Sequence, residues 1–192
     1  MKSIINKKNV DTTKQPLFFG EGLSLQRYDR YRYKKLFDLF LQQISFFWRP
    51  EEVDLSGKEK NDFLSLTDHE KFIFTKNLSY QTLLDSVQGR GISHLLTDCS
   101  NPEFEAFAKA WEFFETIHSY SYTYIVKNVY ANPSEVFDKI LTDKEVLKRT
   151  KTVTKYYDDL INKIPEDSIN DRKRKLYLTL VSINILEGIR FY

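Results

Sequence analysis

Trp111-Glu112-Phe113-Phe114-Glu115-Thr116-Ile117-His118-Ser119-Tyr120-Ser121-Tyr122 is the stretch whose reading decides the fold. At about 100° per residue, with Trp111 at zero, Glu115 falls near 40°, His118 near 340° and Tyr122 near 20°. These four residues therefore share one narrow helix face, whereas Tyr120 and Tyr124 fall about 180° and 220° away. A Glu and a His three residues apart on one helix can reach the same ion, the carboxylate bridging two metals while the imidazole binds one. On a solvated helix the same spacing is an ordinary polar pair. Here Trp, Phe, Ile and Tyr surround it, and an ionised carboxylate in such company needs a partner or a metal.

Working outward, Asn101-Pro102 supplies a cap and a first-turn proline, so the helix carrying this stretch is predicted to run from there to about Tyr130, before Asn132-Pro133. Upstream, Thr67 and Glu70 form a capping box opening a helix that extends to about Leu96. Apolar spacing predicts another helix over Arg27–Phe47, which Pro50 stops. Thr142 with Glu145 signals a further helix ending near Pro165, and Arg172–Tyr192 reads as a helix apolar on nearly every side. That last segment ends without a stop signal, as though inside a core, which predicts an exposed apolar face and a partner or self-association. Residues 1–24 have no period; they read as an arm whose Leu17-Phe18-Phe19 docks on a helical domain formed by residues 25–192.

The chain has 192 residues, 41% of them apolar and 29% charged, which suits one all-α globular domain. A formal net charge of +2 gives no electrostatic case for nucleic acid or an anionic membrane. No run approaches the roughly 18 apolar residues of a membrane span. The single cysteine, Cys99, and the charged Lys7 and Lys8 near the N-terminus point to a reducing, cytoplasmic setting.

Two further acids lie in apolar helical surroundings: Asp85 in Leu83-Leu84-Asp85-Ser86-Val87 and Glu187 in Ile185-Leu186-Glu187-Gly188-Ile189. Each is open to two readings, a metal ligand or a buried acid that is protonated or paired, as Glu187 with Arg190. Taken together the acids are more specific. Ferritin-like dimetal bundles draw one carboxylate from each of two helices and a Glu-x-x-His from each of two more. Asp85 and Glu187 fit the single positions, and Glu115 with His118 fits one pair. Neither His69 nor His94 has a Glu three residues before it, so the ligand set is one helix short.

Ser45-Phe46-Phe47-Trp48-Arg49-Pro50-Glu51-Glu52-Val53, Leu83-Leu84-Asp85-Ser86-Val87-Gln88-Gly89-Arg90, Glu115-Thr116-Ile117-His118-Ser119 with Ser121-Tyr122-Thr123, and Leu186-Glu187-Gly188-Ile189-Arg190-Phe191-Tyr192 are distinctive blocks. In this order they resemble the class I ribonucleotide reductase small (beta, radical-generating) subunit of the enterobacterial and T-even-phage type. The resemblance implies a ferritin-like bundle with a di-iron centre, manganese being the alternative, that uses oxygen to oxidise a neighbouring tyrosine. It implies that Asp85, Glu115, His118 and Glu187 are metal ligands, that Tyr122 carries the radical, and that Trp48 begins radical transfer toward a large (alpha) subunit reducing ribonucleotides, with diphosphates the suggested substrates. It also implies a homodimeric assembly.

Family members are much longer. Their C-terminal half carries the second Glu-x-x-His, so the bundle is expected to be incomplete here and to need a separately encoded C-terminal part. An inactive remnant or a helical scaffold without a metal centre is the alternative. Tyr120 stands where close relatives have arginine and Phe114 where they have a small polar residue. Phe47, Phe113, Phe114 and Ile117 are expected to form an apolar shell around the radical.

Overall fold

The computed structural model describes residues 5–162, 164 and 167–191. Seven α-helices occur among them: α1 (Lys34–Ser45), α2 (Glu59–Ser65), α3 (Asp68–Leu95), α4 (Pro102–Val129), α5 (Pro133–Ile140), α6 (Lys144–Ile161) and α7 (Ile169–Ile185). No named strand occurs among the described residues, only an isolated bridge between Phe18 and Cys99. The chain divides into two compact units, Met1–Trp48 with Gly89–Phe114, and Arg49–Gln88 with Glu115–Tyr192.

In the first unit the arm docks through the predicted residues. The Phe19 N–H donates to the Asp98 carbonyl at 2.8 Å, and the Ser100 N–H donates to the Leu17 carbonyl at 2.9 Å. The Phe18 ring meets Phe104 edge-on at 4.8 Å. Phe19 takes a left-handed φ of 61°, and the chain then passes so close to Ser100 that a Cβ on Gly20 would lie 2.9 Å from its Oγ. Helix α4 opens as predicted, with Asn101 Oδ1 accepting the Phe104 N–H at 2.9 Å.

Helix α1 starts seven residues later than the apolar period suggested. The buried Glu103 carboxylate accepts the N–H groups of Arg32 at 2.8 Å and Tyr33 at 3.3 Å. These donors are satisfied from a distant residue, so the chain before Lys34 has no need of helical geometry. No residue of α1 is fully buried.

In the second unit Thr67 and Glu70 form the predicted capping box, the Glu70 N–H meeting Thr67 Oγ1 at 3.3 Å and the Thr67 N–H meeting Glu70 Oε2 at 2.8 Å. Asn132-Pro133, read as a break, also places proline in the first turn of α5. Helix α2 was not expected; its Phe63 ring lies 4.7 Å from that of Tyr130. Helix α6 is capped by Asp143, whose Oδ1 accepts from Glu145 at 3.1 Å and Val146 at 3.3 Å, and not by Thr142. It ends at Ile161; Pro165, the expected limit, lies outside the described residues.

Helix α7 starts at Ile169, earlier than read, because Ser168 and Asp171 form a capping box. It packs on α6, with Val153, Leu160, Leu176 and Ile183 buried. Each such side chain contributes about 1.5–3 kcal/mol. Ile185 and Ile189 are exposed, an apolar face left open on the final segment as expected.

The cap assignment is testable by urea denaturation. Asp143→Ala is expected to destabilise the protein by about 1 kcal/mol, whereas Thr142→Ala should change it by less than about 0.5 kcal/mol.

Candidate metal centre

Asp85 projects from α3 and Glu115 and His118 from α4, all within the second unit. One ligand atom from each lies within 4.8 Å of the others. His118 Nδ1 is 3.1 Å from Glu115 Oε2 and 3.9 Å from Asp85 Oδ2. Asp85 and Glu115 are buried, 3% and 4% exposed. The Tyr122 phenol, one turn beyond His118, lies beside Asp85. Tyr120 and Tyr124 face elsewhere in the same unit: Tyr120 donates to Glu51, and Tyr124 donates to the Val53 carbonyl at 3.0 Å.

Glu187 lies beside this cluster rather than in its tight core. It occupies a π-helical turn, Leu186–Arg190, in which the Phe191 N–H reaches the Leu186 carbonyl five residues back at 3.2 Å. Its Oε1 accepts from Gln88 Nε2 at 2.7 Å, and Gln88 Oε1 accepts from the Tyr157 hydroxyl at 2.6 Å. Arg190, the alternative partner, instead donates to the Arg149 carbonyl at 2.8 Å. Gln88, Tyr157 and the π turn escaped the sequence reading. Gln88 had one available signal, its position one turn after Asp85 on the same helix.

Trp48 closes the first unit, half-buried, and is followed by the short helical turn Pro50–Glu52. Phe47 and Phe113 stack on each other at 6.0 Å but are each about half exposed, 52% and 48%. They therefore do not form the buried apolar shell expected of them: each leaves about half its surface to solvent.

The electrostatics follow from burial. Asp85 is pushed up to about 6, first by loss of water and then by the Glu115 charge, against the Tyr122 hydrogen bond and His118. Glu187 is pushed up to about 7 by burial and by the Glu115 and Asp85 charges, which outweigh the Gln88 hydrogen bond and His118. His118 is raised by its hydrogen bond to Glu115 and by the charges of Glu115, Asp85 and Glu187, against the effect of burial. Burial, with the charge and hydrogen bond of Asp85, raises the Tyr122 phenol. Three carboxylates and one imidazole on buried or half-buried positions carry more negative charge than their neighbours neutralise. Carboxylate oxygens with imidazole nitrogen suit a divalent first-row metal, so the donor set fits such an ion.

A pH prediction follows for protein stripped of metal by a chelator. Raised carboxyls mean that the folded chain holds more protons than the unfolded chain between about pH 4 and 7. The raised His118 acts in the same direction as it loses its proton. Stability should therefore fall as pH rises through this window, measured as the urea midpoint, and Asp85→Asn should make the fall shallower.

The ribonucleotide reductase small-chain family model matches residues 26–192. The Haemophilus influenzae ribonucleoside-diphosphate reductase subunit beta is 45% identical over 200 residues, covering 95% of this chain and 53% of its own length. The protein of the same name from Enterobacteria phage T4 is 40% identical over 218 residues, covering 100% of this chain and 56% of its own. The chain thus spans about half the length of the curated relatives it matches. Among solved structures, the ribonucleotide reductase R2 subunit from Clostridium botulinum superposes with a TM-score of 0.87 at 28% identity, over 100% of this chain and 58% of that one. The dimanganese(II)-NrdF structure from Streptococcus sanguinis shares the fold at a TM-score of 0.67 and 21% identity, over 90% of this chain and 56% of that one. With its ferritin-like helical fold and this match over most of its length, the chain belongs to the ribonucleotide reductase small-chain family.

Proposed function

We propose that this chain is the N-terminal portion of a ribonucleoside-diphosphate reductase beta subunit, with residues 25–192 forming part of its ferritin-like domain. The observation that carries this reading is the cluster of Asp85 with Glu115 and His118, with the Tyr122 phenol beside Asp85. In it, Asp85, Glu115, His118 and Glu187 hold one side of a dimetal centre, iron or alternatively manganese. The second Glu-x-x-His belongs to the part of the relatives' length that this chain does not span. When bound, the metal pair supplies the oxidising power, drawn from oxygen, that a phenol requires.

The chain's own residues do the rest. Asp85 receives the Tyr122 proton at its carboxylate as the phenol gives up an electron, so the radical forms neutral and in place. Tyr122 is half-buried, which limits the access of reductants to it. Trp48 then passes the oxidising equivalent toward the large (alpha) subunit, where a ribonucleoside diphosphate is reduced. The beta subunit works in the cytoplasm as a homodimer. No helix among the described residues is long and apolar enough to cross a membrane.

Reconstitution tests this reading. The chain alone should take up iron poorly, as a single weakly held divalent ion without the iron pair, and give no tyrosyl signal by electron paramagnetic resonance. Addition of a C-terminal polypeptide carrying Glu-x-x-His, ferrous iron and oxygen should produce the signal, and Tyr122→Phe should abolish it with iron uptake retained. A full signal from the isolated chain, or from Tyr122→Phe, overturns the assignment.

A further inference from the structure

We propose that Tyr157 is a positioning residue for Glu187, acting through the Gln88 amide; the inference rests on the metal-centre reading above. Gln88 is fully buried and Tyr157 is 3% exposed, and the two join α6 to α3 in the interior of the second unit. A glutamine amide has a donor end and an acceptor end of almost equal shape, so packing alone does not select which end faces a neighbour. Here the acceptor-only carboxylate of Glu187 takes the Nε2 end, and the Tyr157 hydroxyl, which can donate or accept, holds the Oε1 end in place. Among the described residues the hydrogen bond of the Tyr157 hydroxyl is the one it donates to Gln88 Oε1, at 2.6 Å. Held at Oε1 by Tyr157, the amide keeps Nε2 on Glu187 Oε1 at 2.7 Å. The reversed amide would turn a carbonyl oxygen toward a carboxylate.

Glu187 needs such a tether more than the other acids. Its backbone lies in a π turn, outside the regular ladder that fixes Asp85 and Glu115 on α3 and α4, and Gly188 follows with open space where a Cβ would be. The charges of Glu115 and Asp85 also act on it, both repelling its carboxylate. The Gln88 N–H holds one oxygen, Oε1, so the other would be the one offered to a cation. Tyr157 stands on the buried face of α6 with Val153 and Leu160, so the hydroxyl that holds the amide in place is anchored in the core.

The test uses the full 192-residue chain. In the isotope-labelled wild type, nuclear magnetic resonance should show the Gln88 side-chain protons widely split, with one slow to exchange. A wild type with a free-amide Gln88 signature overturns the inference without any variant. Tyr157→Phe, which keeps the ring, should bring the pair toward free-amide positions and speed exchange about tenfold. It should also weaken Mn(II) binding, by titration, about tenfold or more, the scale typical of lost second contacts to metal ligands. Gln88→Leu should weaken Mn(II) binding similarly, and the double variant should be no worse than either single one, because the two side chains act in series. Unchanged Gln88 signals in Tyr157→Phe, or additive losses, overturn the inference. Absence of Mn(II) binding by the wild type, with the amide signature present and lost in Tyr157→Phe, counts against the metal-centre reading and leaves the positioning of Glu187 standing.

Discussion

Negative charge placed out of water is the constraint around which the second unit is organised. Two like charges 4 Å apart interact by about 4 kcal/mol at the effective dielectric of a protein, a large fraction of the stability of an ordinary domain. Asp85, Glu115 and Glu187 accept this cost together, relieved in part by His118, the Tyr122 hydroxyl and the Gln88 amide. Protons can reduce the remaining repulsion, as the raised Asp85 and Glu187 values express, and a divalent cation removes it. The same concentration of unrelieved charge that weakens a metal-free chain is what gives a metal its affinity.

Long helices are the means of holding such a group together. α3 and α4 are each 28 residues, or about 42 Å at the usual rise, and each carries its acid far from either end. Glu115 and His118 on α4 are related by one helical turn and need no tertiary adjustment to meet. Asp85 reaches them from α3, and Glu187 comes from a turn whose hydrogen bonding has slipped by one residue. Helix α4 also divides its tyrosines by face. Tyr122 turns to the carboxylates, while Tyr120 and Tyr124 hold Glu51 and Val53 in the segment that follows Trp48. One helix thereby fixes both the phenol and the start of that segment.

What the sequence disclosed was local chemistry. Thr67 with Glu70 and Asn101 with Pro102 mark the starts of α3 and α4 because a cap acts within one turn. The acids of the centre stood out because a carboxylate in an apolar helix is anomalous. What stayed hidden depended on distant residues. Glu103 delays the start of α1 by taking N–H groups from Arg32 and Tyr33, seventy or more positions away. Asp143 and Thr142 are both good caps, and only the fold selects the first. The π turn leaves no periodic trace, and Gln88 and Tyr157 resemble ordinary core residues until their hydrogen bonds are seen. Phe47 and Phe113 misled for the opposite reason: composition marks them as interior, yet each leaves about half its surface to solvent.

The account stands on a cation being held where Asp85, Glu115 and His118 converge, and anomalous diffraction from crystals of this chain soaked in a manganous salt examines it most directly. It predicts a manganese peak at bonding distance from those three side chains, with Glu187 turned toward it. Strong manganese peaks elsewhere on the protein and none between these residues, their hydrogen bonds to one another intact, would contradict it.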